Sequence, residues 1–107
     1  MVNEFKKDNF DKEVIEGSKT LPVIVDFFAT WCGPCKLQDP IMEELAKELS
    51  GKAVIGKINV DEKGELATKY EIMSVPTTLI FKDGQVVETL VGLNSKESIK
   101  AILEKYL

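Results

Sequence analysis

Histidine and arginine are both missing from this chain of 107 residues, and all 14 of its cations are lysines. Without histidine, proton transfer near neutral pH has to use a carboxylate, a lysine or a thiol whose pKa the fold has moved. Without arginine there is no planar fork of donors for two-pronged recognition of phosphates or base edges. A net charge of −4 argues further against nucleic acid or an anionic membrane surface as a partner. No window approaches the roughly 20 apolar residues of a membrane-spanning helix. The opening Met1-Val2-Asn3-Glu4-Phe5-Lys6-Lys7 carries neither the apolar stretch nor the cleavage site of a secretory signal. These absences predict a cytoplasmic location. Cysteine is scarce as well, with only two in the chain. In a reducing compartment such a pair is more often catalytic or metal-binding than structural. The length fits one domain over residues 1–107, large enough for a core without cross-links.

What is present alternates between strand and helix patterns. Met1–Phe5 is an expected short edge strand. Asp8 or Asn9 is positioned to cap a first helix bearing Phe10, Val14 and Ile15, with Gly17-Ser18 as its stop. Pro22 to Ala29 is short, β-branched and aromatic, and apolar on both faces, as in a central strand covered by helices on each side. From Pro34 to Ser50 the residues Leu37, Ile41, Leu45 and Leu49 recur every fourth position, Pro40 should kink the helix, and Gly51 should end it. Ala53 to Val60 is a second buried strand, after which Asp61 is expected to cap a short helix through Leu66, Ala67 and Tyr70. Residues 77–81 and 86–91 flank Asp83-Gly84, a strong hairpin signal. Asn94 or Ser95 then caps a last helix with Ile99, Ile102, Leu103 and Tyr106 on one face. The order is βαβαβαββα, a largely parallel α/β sheet whose closing hairpin adds antiparallel edge strands.

The two cysteines stand three apart in Trp31-Cys32-Gly33-Pro34-Cys35-Lys36, between the first buried strand and the long helix. That puts Cys32 at a helix mouth and Cys35 one turn in, about 5–6 Å apart at Cβ, so their sulfurs can join or part with little backbone motion. Unpaired N–H groups and the positive dipole end stabilise a thiolate there, which makes Cys32 the expected solvent-reachable nucleophile. Gly33 allows another backbone to come close, and Pro34 suits a first helical turn. The competing readings are a zinc half-site and an incidental pair of core thiols. A zinc site needs about four ligands, and the chain offers no second cysteine pair and no histidine.

Asp26 interrupts a buried strand, where an unpartnered carboxylate costs several kcal/mol or shifts its pKa upward. It is either a proton acceptor for Cys35 or a structurally paired acid. Lys57, on the neighbouring strand, is expected to share a buried polar contact with it beneath the cysteines. Pro76 either begins a strand or holds Val75 beside the sulfurs through a cis bond. Trp31, the only tryptophan, is either core or a flat apolar shoulder for a partner. Gly92 either ends a strand or leaves room for a docked peptide.

Together these residues resemble the thioredoxin family over essentially the whole chain. The Trp-Cys-Gly-Pro-Cys-Lys run at 31–36 carries the resemblance, with Asp26 in Val-Asp-Phe, Pro40, Lys57, Val75-Pro76-Thr77, Asp83-Gly84 and Gly92 following in order. The resemblance implies a five-stranded mixed sheet, strand order 1-3-2-4-5, flanked by four helices. It implies a cis peptide at Pro76 and a docking surface of Trp31, Gly33, Pro34, Val60, Val75, Pro76 and Gly92. It also implies a monomer needing no cofactor or metal, disulfide-containing protein substrates, and recycling by thioredoxin reductase. Phe28, Asp39 and Met73 depart from the common pattern. The first should be near-neutral in packing, whereas the other two bear on which partners dock.

The chemistry that follows is dithiol–disulfide exchange: Cys32 attacks a partner disulfide, and Cys35, deprotonated with help from Asp26, attacks Cys32 and releases the reduced partner. Gly33-Pro34 places no cation between the sulfurs, which favours reduction of partners over their oxidation. No nucleotide-binding glycine pattern is present, so electrons must arrive by protein–protein contact. The rivals are an interaction module using the same surface without chemistry, and a dimer holding a metal between two cysteine pairs.

Overall fold

The computed structural model describes residues 2–61 and 64–107. Five strands form one mixed sheet: β1 (Asn3–Glu4), β2 (Val23–Phe28), β3 (Val54–Asn59), β4 (Thr77–Lys82) and β5 (Gln85–Val91), in the order β1-β3-β2-β4-β5. Four helices accompany them: α1 (Lys7–Phe10), α2 (Gly33–Glu48), α3 (Glu65–Lys69) and α4 (Lys96–Leu103). The expected fold class and strand order are therefore those observed. Met1, part of the expected first strand, and residues 62–63, within the expected third helix, lie outside the described residues.

The sheet is less parallel than its element order suggests. β1 and β2 run parallel to β3, but β4 lies antiparallel against β2 and continues antiparallel to β5. The hairpin thus reaches the centre of the sheet, with only β5 at the edge. Its turn is Asp83-Gly84, both at positive φ (54° and 82°), the mirror-image turn whose twist matches the flanking strands. Ser18 holds that turn in place, its carbonyl accepting from Asp83 N at 2.9 Å and its hydroxyl oxygen from Gly84 N at 2.8 Å.

Alternation along the strands sorts the core into two layers. Ile24, Ile55 and Ile80 face α2 and α4, meeting Met42, Leu45, Ile99 and Leu103. Val23, Val25, Phe27, Leu79 and Phe81 face the other way, toward Phe10 and Val14. Asp26 shares Ile24's side and Lys57 shares Ile55's, so both point beneath α2, and they stand in register on adjacent strands.

Three local expectations change. The first helix begins at Lys7, two residues before Asn9, whose Oδ1 accepts from Lys6 N at 2.8 Å. It does not stop at Gly17-Ser18: Gly17 keeps right-handed helical angles, and helical turns continue through Asp11–Glu16 and Gly17–Lys19. In α2 the buried stripe is Cys35, Gln38, Met42, Leu45 and Ala46, while Leu37 is 61% exposed. The spacing of four drifts around a helix that turns every 3.6 residues, so Leu37 falls off the face that packs.

Candidate active site

Cys32 is the N-cap residue of α2. Its backbone is extended, and its Sγ accepts the N–H of Cys35 at 3.1 Å. Gly33 and Pro34 fill the first turn, where the missing proline N–H costs nothing. The two sulfurs are bonded, with Cα atoms 5.3 Å apart. The same geometry that closes the disulfide supplies the reduced Cys32 sulfur with a backbone donor and the positive end of a four-turn helix, both of which favour the anion. In this oxidised form Cys32 is only 4% exposed rather than openly solvent-reachable. The disulfide packs against Ala29, with Phe28, Val60 and Val75 around it. A partner must therefore bring its own sulfur to close range.

The rim above is apolar. Trp31 is 71% exposed, and Met73, Val91 and Leu93 are also exposed. A groove of about 200 Å³ runs from Trp31 past Val60 and Ile72 to Met73 and Val75. The Val75–Pro76 peptide is cis, and the Pro76 carbonyl accepts the N–H of Gly92 at 2.8 Å, which joins the two loops of the rim. Gly92 has φ +82°, a conformation side chains rarely adopt, and a Cβ there would meet nothing within 4 Å. Backbone conformation, rather than packing, explains the glycine.

Asp61 was expected to cap α3, but the N-cap of that helix is Gly64. Asp61 instead spans the sheet top and organises the rim. Its Oδ1 accepts from the Trp31 indole at 2.9 Å, and its Oδ2 accepts from both the N–H and the hydroxyl of Thr30 at 3.1 Å. Its own N–H donates to Asn59 Oδ1 at 2.8 Å. The Thr30 N–H, then the indole, hold its carboxyl below the usual range. This clamp joins residues about thirty positions apart, and nothing local in the sequence signals it.

Beneath the disulfide lies a cavity of about 190 Å³ whose lining includes Asp26, Cys35, Lys36, Asp39 and Lys57. Asp26 is 2% exposed, and its Oδ1 has no hydrogen-bond partner. Burial, with a smaller push from Asp39 and a small opposing pull from Lys57, raises its pKa to about 7. The expected direct contact between Asp26 and Lys57 is not made. Although the two are register neighbours, the Lys57 ammonium donates to Asp39 Oδ1 at 3.1 Å and sits 5.3 Å from the centre of the Phe28 ring. Asp39 projects from α2 and is partly in water, so it offers the cation a carboxylate without full desolvation.

A further buried polar residue, Gln38, ties α2 to the rim. It is fully buried, with its amide donating to Asn94 O at 3.0 Å and accepting from Asn94 N at 2.9 Å. The sequence offered one clue, a polar side chain next to the expected apolar face, but not its partner.

A strand-to-helix turn that caps its helix with one sulfur and bonds it to a second, above a buried acid of near-neutral pKa, defines a dithiol–disulfide exchange site on an α/β sheet. Comparison with known proteins agrees. The family model for thioredoxin matches residues 1–105. A thioredoxin of Staphylococcus aureus is 50% identical over 99 residues, 92% of this chain and 91% of its own. One from Staphylococcus haemolyticus is 48% identical over the same shares. The chain belongs to the thioredoxin family, and it is a protein-disulfide oxidoreductase that works by exchange through Cys32 and Cys35. Among the described residues, no helix is long and apolar enough to cross a membrane.

Proposed function

We propose that this protein is a general reductase of protein disulfides in the cytoplasm, acting as a monomer and recycled by thioredoxin reductase. The observation that carries this reading is the Cys32 sulfur at the mouth of α2, receiving the Cys35 N–H, with Asp26 buried below. A partner chain docks in extended form along Trp31, Val60, Val75-Pro76 and Gly92, its approach left open by Gly33 and Pro34. The Cys32 thiolate attacks one partner sulfur. A bond forms between Cys32 and that sulfur, the partner's S–S bond breaks, and the departing sulfur leaves as a thiolate that takes a proton from water. Asp26 then accepts the Cys35 proton, and the Cys35 thiolate attacks Cys32 Sγ. The Cys32–Cys35 bond forms as the mixed disulfide breaks. The partner has gained two electrons and ends as a dithiol, and the protein is left oxidised.

A base with a pKa near the working pH is well matched to the second step, which supports assigning it to Asp26. Lys57 makes no direct contact with Asp26, since its ammonium is engaged by Asp39, and its charge slightly opposes the raised pKa. The absence of a cation between the sulfurs supports the reducing direction. The test is Cys35→Ser. It should stall at the mixed disulfide and hold substrate proteins covalently through Cys32, released by added thiol. Failure to capture any protein while the parent still reduces insulin would refute the assigned roles of the two sulfurs.

A further inference from the structure

Asp26 is approached by other groups on several sides, and their arrangement assigns a task to Asp39. From β3, Lys57 is its register neighbour on the same sheet face. From β4, the register neighbour is Thr78, whose hydroxyl is buried, uncharged and unpartnered like Asp26 Oδ1. From α2, the cavity beside Asp26 receives Cys35, Lys36 and Asp39. Lys57 is the one cation in register with Asp26 on an adjacent strand, so it is placed to neutralise the carboxylate in a buried ion pair. It does not do so. Its ammonium is held by Asp39 at 3.1 Å, with the Phe28 ring 5.3 Å away.

We propose that Asp39 is a positioning residue for the proton transfer at Asp26: by engaging Lys57 it keeps that cation from pairing with the buried carboxylate, and so preserves Asp26 as a base. The proposal rests on the assignment of Asp26 as proton acceptor. An Asp26 freely paired to Lys57 would hold its negative charge more comfortably and take a proton less readily. Asp39 opposes that twice, by occupying the ammonium and by adding a second negative charge to the cavity wall. The upward push of Asp39 on Asp26 and the downward pull of Lys57 run in those directions. Because Asp39 is half exposed while Asp26 is buried, the charge that does the holding is kept where water supports it.

The test is a carbon-13 carboxyl titration of Asp26 in the oxidised protein, alongside the pH dependence of insulin reduction. Asp39→Asn keeps the side-chain shape and frees Lys57, and Asp39→Ser guards against an effect peculiar to the amide. Both should lower the Asp26 midpoint by about one pH unit, and the acid limb of the rate profile should move the same way. Lys57→Met should raise the midpoint little in the parent but reverse most of the drop in the Asp39→Asn background, because only there is the ammonium free for Asp26. A midpoint that stays put or rises in either Asp39 variant, or a Lys57→Met effect of equal size in both backgrounds, overturns the proposal. Asp26→Asn separates the two layers of inference. If the acid limb survives in Asp26→Asn, Asp26 is not the proton acceptor and the functional role given to Asp39 falls with it. If that limb disappears while Asp39→Asn leaves both readouts unmoved, Asp26 keeps its role and Asp39 alone loses its own.

Discussion

Two aspartates sit near the same end of neighbouring strands, and the fold drives them in opposite directions. Asp26, inside β2, is buried with an oxygen left unpaired, and its pKa rises to about 7. Asp61, two residues past β3, is in solvent and accepts from Thr30 and Trp31, and its pKa falls. The chemistry of the residue is identical, so the difference belongs to the surroundings. Dehydration without donors favours the neutral acid, whereas donors that outweigh a slight dehydration favour the anion. The first arrangement costs stability and leaves a carboxyl of near-neutral pKa under the sulfurs, the group proposed above as the proton acceptor. The second fixes the indole that borders them. Gln38 shows that burial alone is not the cause: it is as deep as Asp26, but both ends of its amide are paired with Asn94, so it serves as a fixed tie.

The contrast is tested most severely by Asp26→Asn. The unfolded carboxyl ionises near pH 4 and the folded one near pH 7, so the folded protein holds an extra proton between those values, and its stability falls as pH rises across that window. Asparagine removes the penalty. The variant should match the parent near pH 4 and exceed it above pH 7, with an upper bound of roughly 4 kcal/mol set by the distance between 3.8 and about 7. Denaturant melts at several pH values would read this. Release from the mixed disulfide should meanwhile slow on the order of a hundredfold. Equal stability at pH 4 and pH 8 would dissolve the contrast.

Asp61→Asn should give a smaller effect with the opposite pH dependence. Its folded pKa is depressed, so its contribution is present above the unfolded value and disappears as pH falls through the folded one. The variant should melt lower than the parent at neutral pH and converge with it in acid. Trp31, the sole fluorophore of its kind, should show greater motion, and KM for protein disulfides should rise several-fold with kcat little changed. A variant whose deficit grows toward acid pH would contradict the assignment.

Local chemistry explains which parts of this molecule could be read in advance. The hairpin at Asp83-Gly84, the helix starting at Cys32 and the buried-strand character around Asp26 each follow from a few adjacent residues. The strand order needed the family resemblance as well. What escaped depended on contacts distant in sequence. Asp61 is well placed to cap the helix after it, but the indole and Thr30, some thirty residues back, compete successfully for its oxygens. The sequence puts Lys57 on the strand beside Asp26, yet its partner is decided by α2 laying Asp39 within reach. The phase of α2 is set by packing against β3 and α4, which leaves Leu37 outward and Gln38 inward.

The most direct test of the whole account is the rate of alkylation of the reduced protein as a function of pH, resolved by residue. Reactivity should be confined to Cys32 and should rise with a midpoint clearly below the value of about 8.5 for a free cysteine, with Cys35 shielded. Equal reaction of both thiols, or a Cys32 midpoint at the free-cysteine value, would contradict the claim that the start of α2 holds an activated nucleophile.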